Sequence, residues 1–598
     1  MGRGGLTGEL VVEFVPSGRG VAARPAFEDG VEIQMSRNTR GAAEIGDLAI
    51  ITVRGRSARL QRVLGNARDA RVVMEALLIH EEMGRGFPRR VQETADALVE
   101  GDPLADAARR DLTDQEVVTI DPQGAKDHDD AIAAEVDGED VRLWVHIADV
   151  AHYVSEGDPI DREAFFRGNS VYVPGRVEPM LPARLSNDLC SLRPGATRRV
   201  VTAEMLVAPD GAITESRFYR AAIRSEQRLT YPEVDGFLDG GALGSPAQET
   251  TVNAAREAAR RIRAARQRRG GLEIGGGEVV FEFDGGRVVG AHVEENTESH
   301  RIVEDCMVAA NEAVAQHLIG RGRTTVFRHH PDPEQARFER LLAQMAALDV
   351  PTPSMPDRAM GPAEVRSAIG EVGAAVGRHL AARQTRGEPG GSALWTLVLR
   401  SLMQAFYTAD SATHSGLASA AYLHFTSPIR RYPDLLVHRA LLETIGAGVP
   451  APDRLTVDEA ALRSSERERN ATDIERRADR IIGCLMLDAR RRERGNDEVF
   501  DGEVVGLIPG GVFVSFGIGF EGFLRSREFD AGFLTLDDAE VQLLGEGGLP
   551  VARIGDPISV RVIEVEPLRG RARLVPADSP TRPSRGRSSR PQRRRRRF

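Results

Sequence analysis

Residues 121–130 read Asp121-Pro-Gln-Gly-Ala-Lys-Asp127-His-Asp129-Asp130, and an apolar run, Ala131-Ile-Ala-Ala134, follows directly. Carboxylates this crowded are costly: two unit charges about 5 Å apart repel by roughly 3 kcal/mol at an effective dielectric of about 20. A chain keeps such a cluster where cations relieve it. If residues 117–134 form strand, tight turn and strand, the two-residue period places Asp127 and Asp129 on one face. A bend at residues 122–124 then returns Asp121 to them. Oxygen-only ligands of this kind suit Mg²⁺ or Mn²⁺ better than zinc. The plain alternative is a solvated acidic loop. An EF-hand is excluded, because neither the glycine at loop position six nor the glutamate at position twelve is present.

Working outward, 598 residues are too many for one core, so several domains are expected. An apolar content of 41% with 28% charge is that of a water-soluble globular protein. No run is long and apolar enough to span a bilayer, and the first residues lack a signal peptide's apolar core. Cys190, Cys306 and Cys484 are too scattered for a disulfide framework or a zinc site, which fits a reducing cytoplasm. The net charge of −10 argues against a surface that is basic throughout. Yet residues 579–598 carry nine arginines and no acid, the composition of a disordered tail attracted to nucleic-acid phosphates.

Residues 7–64 alternate apolar and polar positions in short runs punctuated by Gly and Pro, the cadence of a small antiparallel barrel. Helical spacing follows over 70–79, then a polar connector over 98–113. The long middle segment mixes strands and helices. Residues 300–318 are amphipathic, and 253–269 form a basic helix with a solvated face that ends at Gly270-Gly271. Residues 351–391, rich in Pro and Gly, are read as surface covering, and a long helix is expected over 457–494. Strand spacing returns over 500–576, as in a five-stranded barrel with exposed aromatics.

Several further runs stand in order. They are Thr119-Ile-Asp-Pro, Leu143-Trp-Val-His-Ile-Ala-Asp-Val150, Tyr172-Val-Pro-Gly175, Leu185-Ser-Asn-Asp-Leu-Cys-Ser-Leu192 and His424-Phe-Thr-Ser-Pro-Ile-Arg-Arg-Tyr-Pro-Asp434. With the acid run they make the chain resemble the ribonuclease II / ribonuclease R family of 3′→5′ exoribonucleases, on the ribonuclease R side, over roughly residues 70–575. The resemblance implies a multidomain α+β architecture. Its parts would be a cold-shock-like OB barrel (1–65), a helical connector (66–113), a mixed α/β RNB catalytic domain (114–495), an S1-type OB barrel (496–576) and a disordered Arg-rich tail (577–598).

It also implies Mg²⁺-dependent, processive 3′→5′ hydrolysis of single-stranded RNA to 5′-nucleoside monophosphates. Partners would be single-stranded RNA and RNA with a 3′ overhang, bound by a cytoplasmic monomer. Carried over by motif, Asp121, Asp127, Asp129 and Asp130 are metal ligands or orient water, with Mn²⁺ a possible substitute for Mg²⁺. Asp129 and Arg430 are the catalytic pair. Tyr172 stacks on a terminal base, and Arg430, Arg431 and Glu475 join it at the RNA. Tyr432 and Asp434 either contact RNA or brace Arg430, while His146, Asp149, His300 and His317 read as structural.

The sequence departs from the family pattern in places. His128 fills a slot that is usually apolar or aromatic, and strand alternation turns it away from Asp127 and Asp129 into a packing or surface role. Lys126 stands where arginine is common, an exchange that keeps the charge. Only one N-terminal barrel fits, and a second stacking aromatic near residues 327–330 is not placed. A catalytically silent RNA-binding protein on the same scaffold is the competing reading; it is disfavoured by retention of all four aspartates. An endonuclease or DNase is the third.

Overall fold

A computed structural model describes residues 7–18, 20–54, 57–272, 277–354, 358–386, 391–529 and 531–579. Of the Arg-rich tail, residues 580–598 lie outside the described residues.

Five antiparallel strands, Thr7–Ser17, Gly20–Pro25, Ile33–Met35, Asp47–Arg54 and Ser57–Asn66, begin the chain. Their order in the sheet is third, second, first, fourth, fifth. Val12, Phe14, Met35, Ile51 and Ala58 share one core although Met35 and Ala58 sit on opposite edge strands, so the sheet is rolled. Among the described residues those two edges do not hydrogen-bond, which leaves the expected barrel open along one seam.

Helix Ala70–His80, capped by the Asp69 side chain, leads out of this unit. The short strand Arg110–Leu112 then pairs in parallel with Ile213–Arg224. The central sheet therefore recruits residues ahead of the expected boundary at 114. Seven strands build it, in the order Gln227–Thr230, Val118–Asp121, Asp130–Asp137, Asp140–Ala148, Thr197–Val207, Ile213–Arg224 and Arg110–Leu112. Only the two outermost pairings are parallel.

Strand alternation divides the core. Ile132, Leu143, Val145 and Val201 face a layer that includes helices Pro246–Arg268, Glu298–Gly320 and Tyr432–Thr444. Ala131, Ala133, Ala148 and Val200 face the opposite layer, with Leu181, Leu185 and Leu435. Both faces are dry, as for a sheet between two layers.

In the middle segment one reading is extended and one changes. The basic helix buries Ala254, Ala255, Ala258 and Ile262 against the sheet, and Arg263 and Arg266 turn in to Asp305 at 2.7 and 2.9 Å. Arg256, Arg260, Arg268 and Arg269 stay exposed on its solvated outer face, as expected, while the inner face is packed and paired. Within residues 351–391 the chain forms helix Pro362–Thr385, whose Val365, Ile369, Val372 and Val376 fill a satellite core with Phe338 and Leu397. Pro362 starts this helix at its first turn, where no N–H is missed.

Helix Arg454–Arg494 is capped by Asp453 and stops at Gly495, where φ is +89°. At 41 residues it is about 60 Å long. Val457 and Ala460 pack in the catalytic core, Ile474 and Ile481 against the N-terminal unit and its connector, and Cys484 and Leu487 in the last domain. That domain is a closed barrel of strands Val499–Ile508, Gly511–Phe516, Phe520–Arg525, Pro557–Glu566 and Arg571–Pro576. No helix among the described residues is long and apolar enough to cross a membrane.

Candidate active site

Asp121 ends one central strand and Asp130 opens the next. Residues 125–129 lie between the strands without belonging to either, so the two-residue period does not govern Asp127 and Asp129. Both nonetheless face a cavity of about 420 Å³, together with Asp121, Asp130, Tyr172 and Arg430. Seven of the eight site residues named from sequence are thereby distributed around one space. Arg431 also lines it, and Glu475 does not.

Distant segments fix the geometry. The Ile429 N–H donates to Asp129 Oδ1 at 2.8 Å, and Arg430 Nε stands 3.7 Å from Asp129 Oδ2. Arg430 Nη2 donates to Ser427 Oγ at 3.1 Å. Arg431 is clamped by Asp434 at 2.7 Å, and Asp434 also accepts from the Ser427 N–H at 2.7 Å. Asp434 thus braces the turn that carries Arg430. Tyr432 turns away, its hydroxyl donating to Asp161 at 3.1 Å.

Tyr172 donates its phenol proton to Asp127 Oδ2 at 2.9 Å, and its backbone N–H to Glu475 Oε1 at 2.9 Å. Glu475 therefore anchors the strand that presents Tyr172. The ring remains 38% exposed, available for stacking.

Of the two roles expected for His128, packing and not the surface is the one observed. It is buried at 4% exposure with Nδ1 2.8 Å from Asp121 Oδ2, close enough to pair but not aligned as a hydrogen bond. It is not among the residues that line the cavity with Asp127 and Asp129, and its packing partner is the first aspartate. His146 and Asp149 are structural, as expected. His146 meets Thr202 Oγ1 at 2.9 Å, and Asp149 is held by Arg109 and Arg220 at 2.6 and 2.9 Å.

Burial pushes the Asp129 carboxyl well above its usual range, with Arg430 opposing and Asp127 and Asp130 adding repulsion. Burial, then repulsion from Asp121, raises Asp130 to about 7. Asp121 Oδ2 and Asp129 Oδ2 are buried without an aligned hydrogen-bond partner. Orphaned, mutually repelling carboxylate oxygens are the donor set a hard divalent ion satisfies. The chemistry fits. The cage is not preassembled: among the described residues no three His, Cys, Asp or Glu side chains already converge on one ion position.

Sequence reasoning missed part of the lining, notably Tyr231, Glu304, Asn311 and Tyr422. Tyr231 follows Thr230, which pairs in parallel with Asp121, and its ring stacks on His300 at 3.7 Å. Asn311 Nδ2 donates to the Tyr422 hydroxyl at 3.0 Å. No local pattern announces such long-range pairings.

Fold and cavity together define an RNB-domain protein with a C-terminal S1 barrel. The RNB domain model matches residues 109–446, and the S1 RNA binding domain model matches 494–575. The chain belongs to the ribonuclease R family. It is 32% identical to the Thermotoga maritima ribonuclease R over 534 residues, 87% of this chain and 72% of that one. To the Escherichia coli ribonuclease R it is 32% identical over 569 residues, 92% of this chain and 66% of the relative. For the Lactococcus lactis ribonuclease R 1 the identity is 31%, across 85% of this chain and 61% of the relative. The chain thus spans about two thirds of the length of these relatives.

In fold it resembles the Mycoplasma genitalium RNase R solved in complex with ribose-methylated single-stranded RNA. The TM-score is 0.82 at 24% identity, covering 95% of this chain and 89% of that one. Yeast Ssd1, a pseudonuclease, shares the fold at TM-score 0.63 and 16% identity, over 90% and 68% of the two chains. Fold alone does not separate active from silent members.

Proposed function

We propose that this chain is a monomeric, Mg²⁺-dependent 3′→5′ exoribonuclease. It degrades single-stranded RNA processively to 5′-nucleoside monophosphates in the cytoplasm. One observation carries the reading: four aspartates, an arginine and an exposed tyrosine line a single cavity.

A bound divalent ion, Mg²⁺ or Mn²⁺, would supply a polarised water and neutralise charge on the scissile phosphate. Asp121, Asp127, Asp129 and Asp130 would hold it. The Ile429 N–H fixes Asp129 by Oδ1 and leaves Oδ2 without an aligned hydrogen-bond partner. Arg430, half exposed and steadied by Ser427, binds phosphate oxygens as negative charge develops. Tyr172 stacks on a base without regard to its identity, which suits degradation of any sequence. Arg431 and Asp434 hold the Arg430 turn, and Glu475 holds Tyr172.

The test uses 5′-labelled single-stranded RNA with Mg²⁺, with and without EDTA, beside circular RNA, single-stranded DNA and a duplex with a 3′ overhang. The expected result is ladder-free shortening to monophosphates from the 3′ end, blocked by EDTA. A cut circle would make the protein an endonuclease, and binding without any shortening would make it the silent scaffold.

A further inference from the structure

His128 departs from the family pattern at a slot that is usually apolar or aromatic, and the exchange brings a polar group up to the acid run. The ring is buried at 4% exposure, with Nδ1 2.8 Å from Asp121 Oδ2. Neither atom has an aligned hydrogen-bond partner among the described residues. Buried polar atoms left unsatisfied are costly, and these two already stand at hydrogen-bond distance from each other. A small rotation of the Asp121 carboxylate makes them donor and acceptor.

The ring cannot drift, because its backbone is held on both sides. The His128 N–H donates to Ser191 Oγ at 3.2 Å, and its carbonyl accepts the Leu192 N–H at 3.0 Å. Ser191 Oγ in turn donates to the Lys126 carbonyl at 2.8 Å. Asp121 is held from its own side, where the strand it ends pairs in parallel with the strand of Thr230. Asp121 lines the cavity and His128 does not, so the imidazole meets the carboxylate from within the protein and not from the cavity.

We propose that His128 is a positioning residue whose Nδ1–H donates to Asp121 Oδ2 and fixes the orientation in which that carboxylate offers Oδ1 to a divalent ion. The inference rests on the exoribonuclease reading with its Mg²⁺ site. A ligating carboxylate holds an ion more tightly when a hydrogen bond to its other oxygen stops it turning away. A neutral imidazole with its proton on Nδ1 is enough for this task. An apolar or aromatic residue in the same slot supplies no such donor, so the histidine tightens a site that exists without it. Its loss therefore weakens ion binding several-fold and does not abolish it.

Three substitutions in the full chain test it, read by Mn²⁺ binding to the RNA-free protein in electron paramagnetic resonance. His128→Asn places an amide N–H where Nδ1 stood and is expected to keep the wild-type affinity. His128→Phe fills the slot without a donor, and His128→Gln carries its N–H one bond too far out. Both are expected to weaken Mn²⁺ binding several-fold and to raise the Mg²⁺ concentration for half-maximal turnover in step. RNA affinity in EDTA should stay as in wild type. Packing alone would not rank the variants this way, since phenylalanine replaces the ring volume best. Wild-type Mn²⁺ affinity in the phenylalanine or glutamine variant overturns the inference, as does an asparagine variant as weak as those two. A matching loss of RNA affinity in EDTA, the mark of a collapsed loop, also overturns it. A wild-type chain that neither shortens RNA nor binds Mn²⁺ overturns the functional reading instead.

Discussion

The Ile429 N–H donates to Asp129 Oδ1 at 2.8 Å, latching together two segments 300 residues apart in the chain. The latch sets the distance between the acid run and Arg430, the next residue along. It also leaves Asp129 with one oxygen committed to the protein and one buried without an aligned partner.

Asp129→Asn preserves an acceptor for Ile429 while removing the charge. Monophosphate release should fall by on the order of 100-fold or more, the scale on which one preorganised transition-state contact matters. RNA affinity should stay within about threefold, because uniform binding does not pass through this group. Unchanged turnover in single-turnover kinetics would remove Asp129 from the reaction.

Tyr172→Ala takes away a stacking surface worth about 1–3 kcal/mol per base. The expected outcome is weaker hold on short RNA and a different length for the last undegraded fragment, read on a denaturing gel. Tyr172→Phe keeps the ring and loses only the bond to Asp127, so its end product should match wild type. An identical final fragment from the alanine variant would exclude Tyr172 as the clamp.

His146 is fully buried, and burial lowers its pKa from 6.5 to about 3. Above 6.5 the ring is neutral folded or unfolded. Below it the unfolded chain takes up a proton that the folded chain refuses. Stability is therefore lost as pH falls from 6.5 toward 3, by about 1.4 kcal/mol per pH unit. His146→Gln should reduce the slope of unfolding free energy against pH between about pH 4 and 6 by that amount. Equal slopes would show that the ring charges in place.

Gly168 has φ +76°, and a Cβ there would lie 2.6 Å from Arg467 Cβ. Its carbonyl also accepts the Tyr432 N–H at 2.9 Å, two residues from Arg430. Gly168→Ala should cost more than the 1–3 kcal/mol, about, of a strained backbone alone, and should lower turnover as well. Gly138→Ala is the comparison, since φ is +64° with open space around it. A melting-temperature loss no larger at 168 than at 138 would show that the clash relaxes freely.

Legibility followed locality. The acid run, the Arg430 motif and Tyr172 could be read because each is a short pattern of chemically distinctive residues. The long helix announced itself through spacing and Gly495. The place of His128 beside Asp121 was out of reach, because residues 125–129 belong to neither strand and spacing does not show which acid they meet. Helix Pro362–Thr385 was hidden by its own Pro and Gly content, although Val365, Ile369, Val372 and Val376 recur at helical spacing. Tyr231 was out of reach, because its place depends on a parallel pairing of Thr230 with Asp121 across more than a hundred residues. The packing of Arg263 and Arg266 on Asp305 was missed for the same reason: charge counts do not reveal which cations point inward.

The helix Arg454–Arg494 is a shared wall for the two ends of the molecule. Leu487 packs in the last barrel and Ile474 against the first, and Glu475 sits between them on the same rod. Glu475 accepts the Tyr172 backbone N–H at 2.9 Å, so the one helix that both outer modules pack against also holds the strand that carries Tyr172.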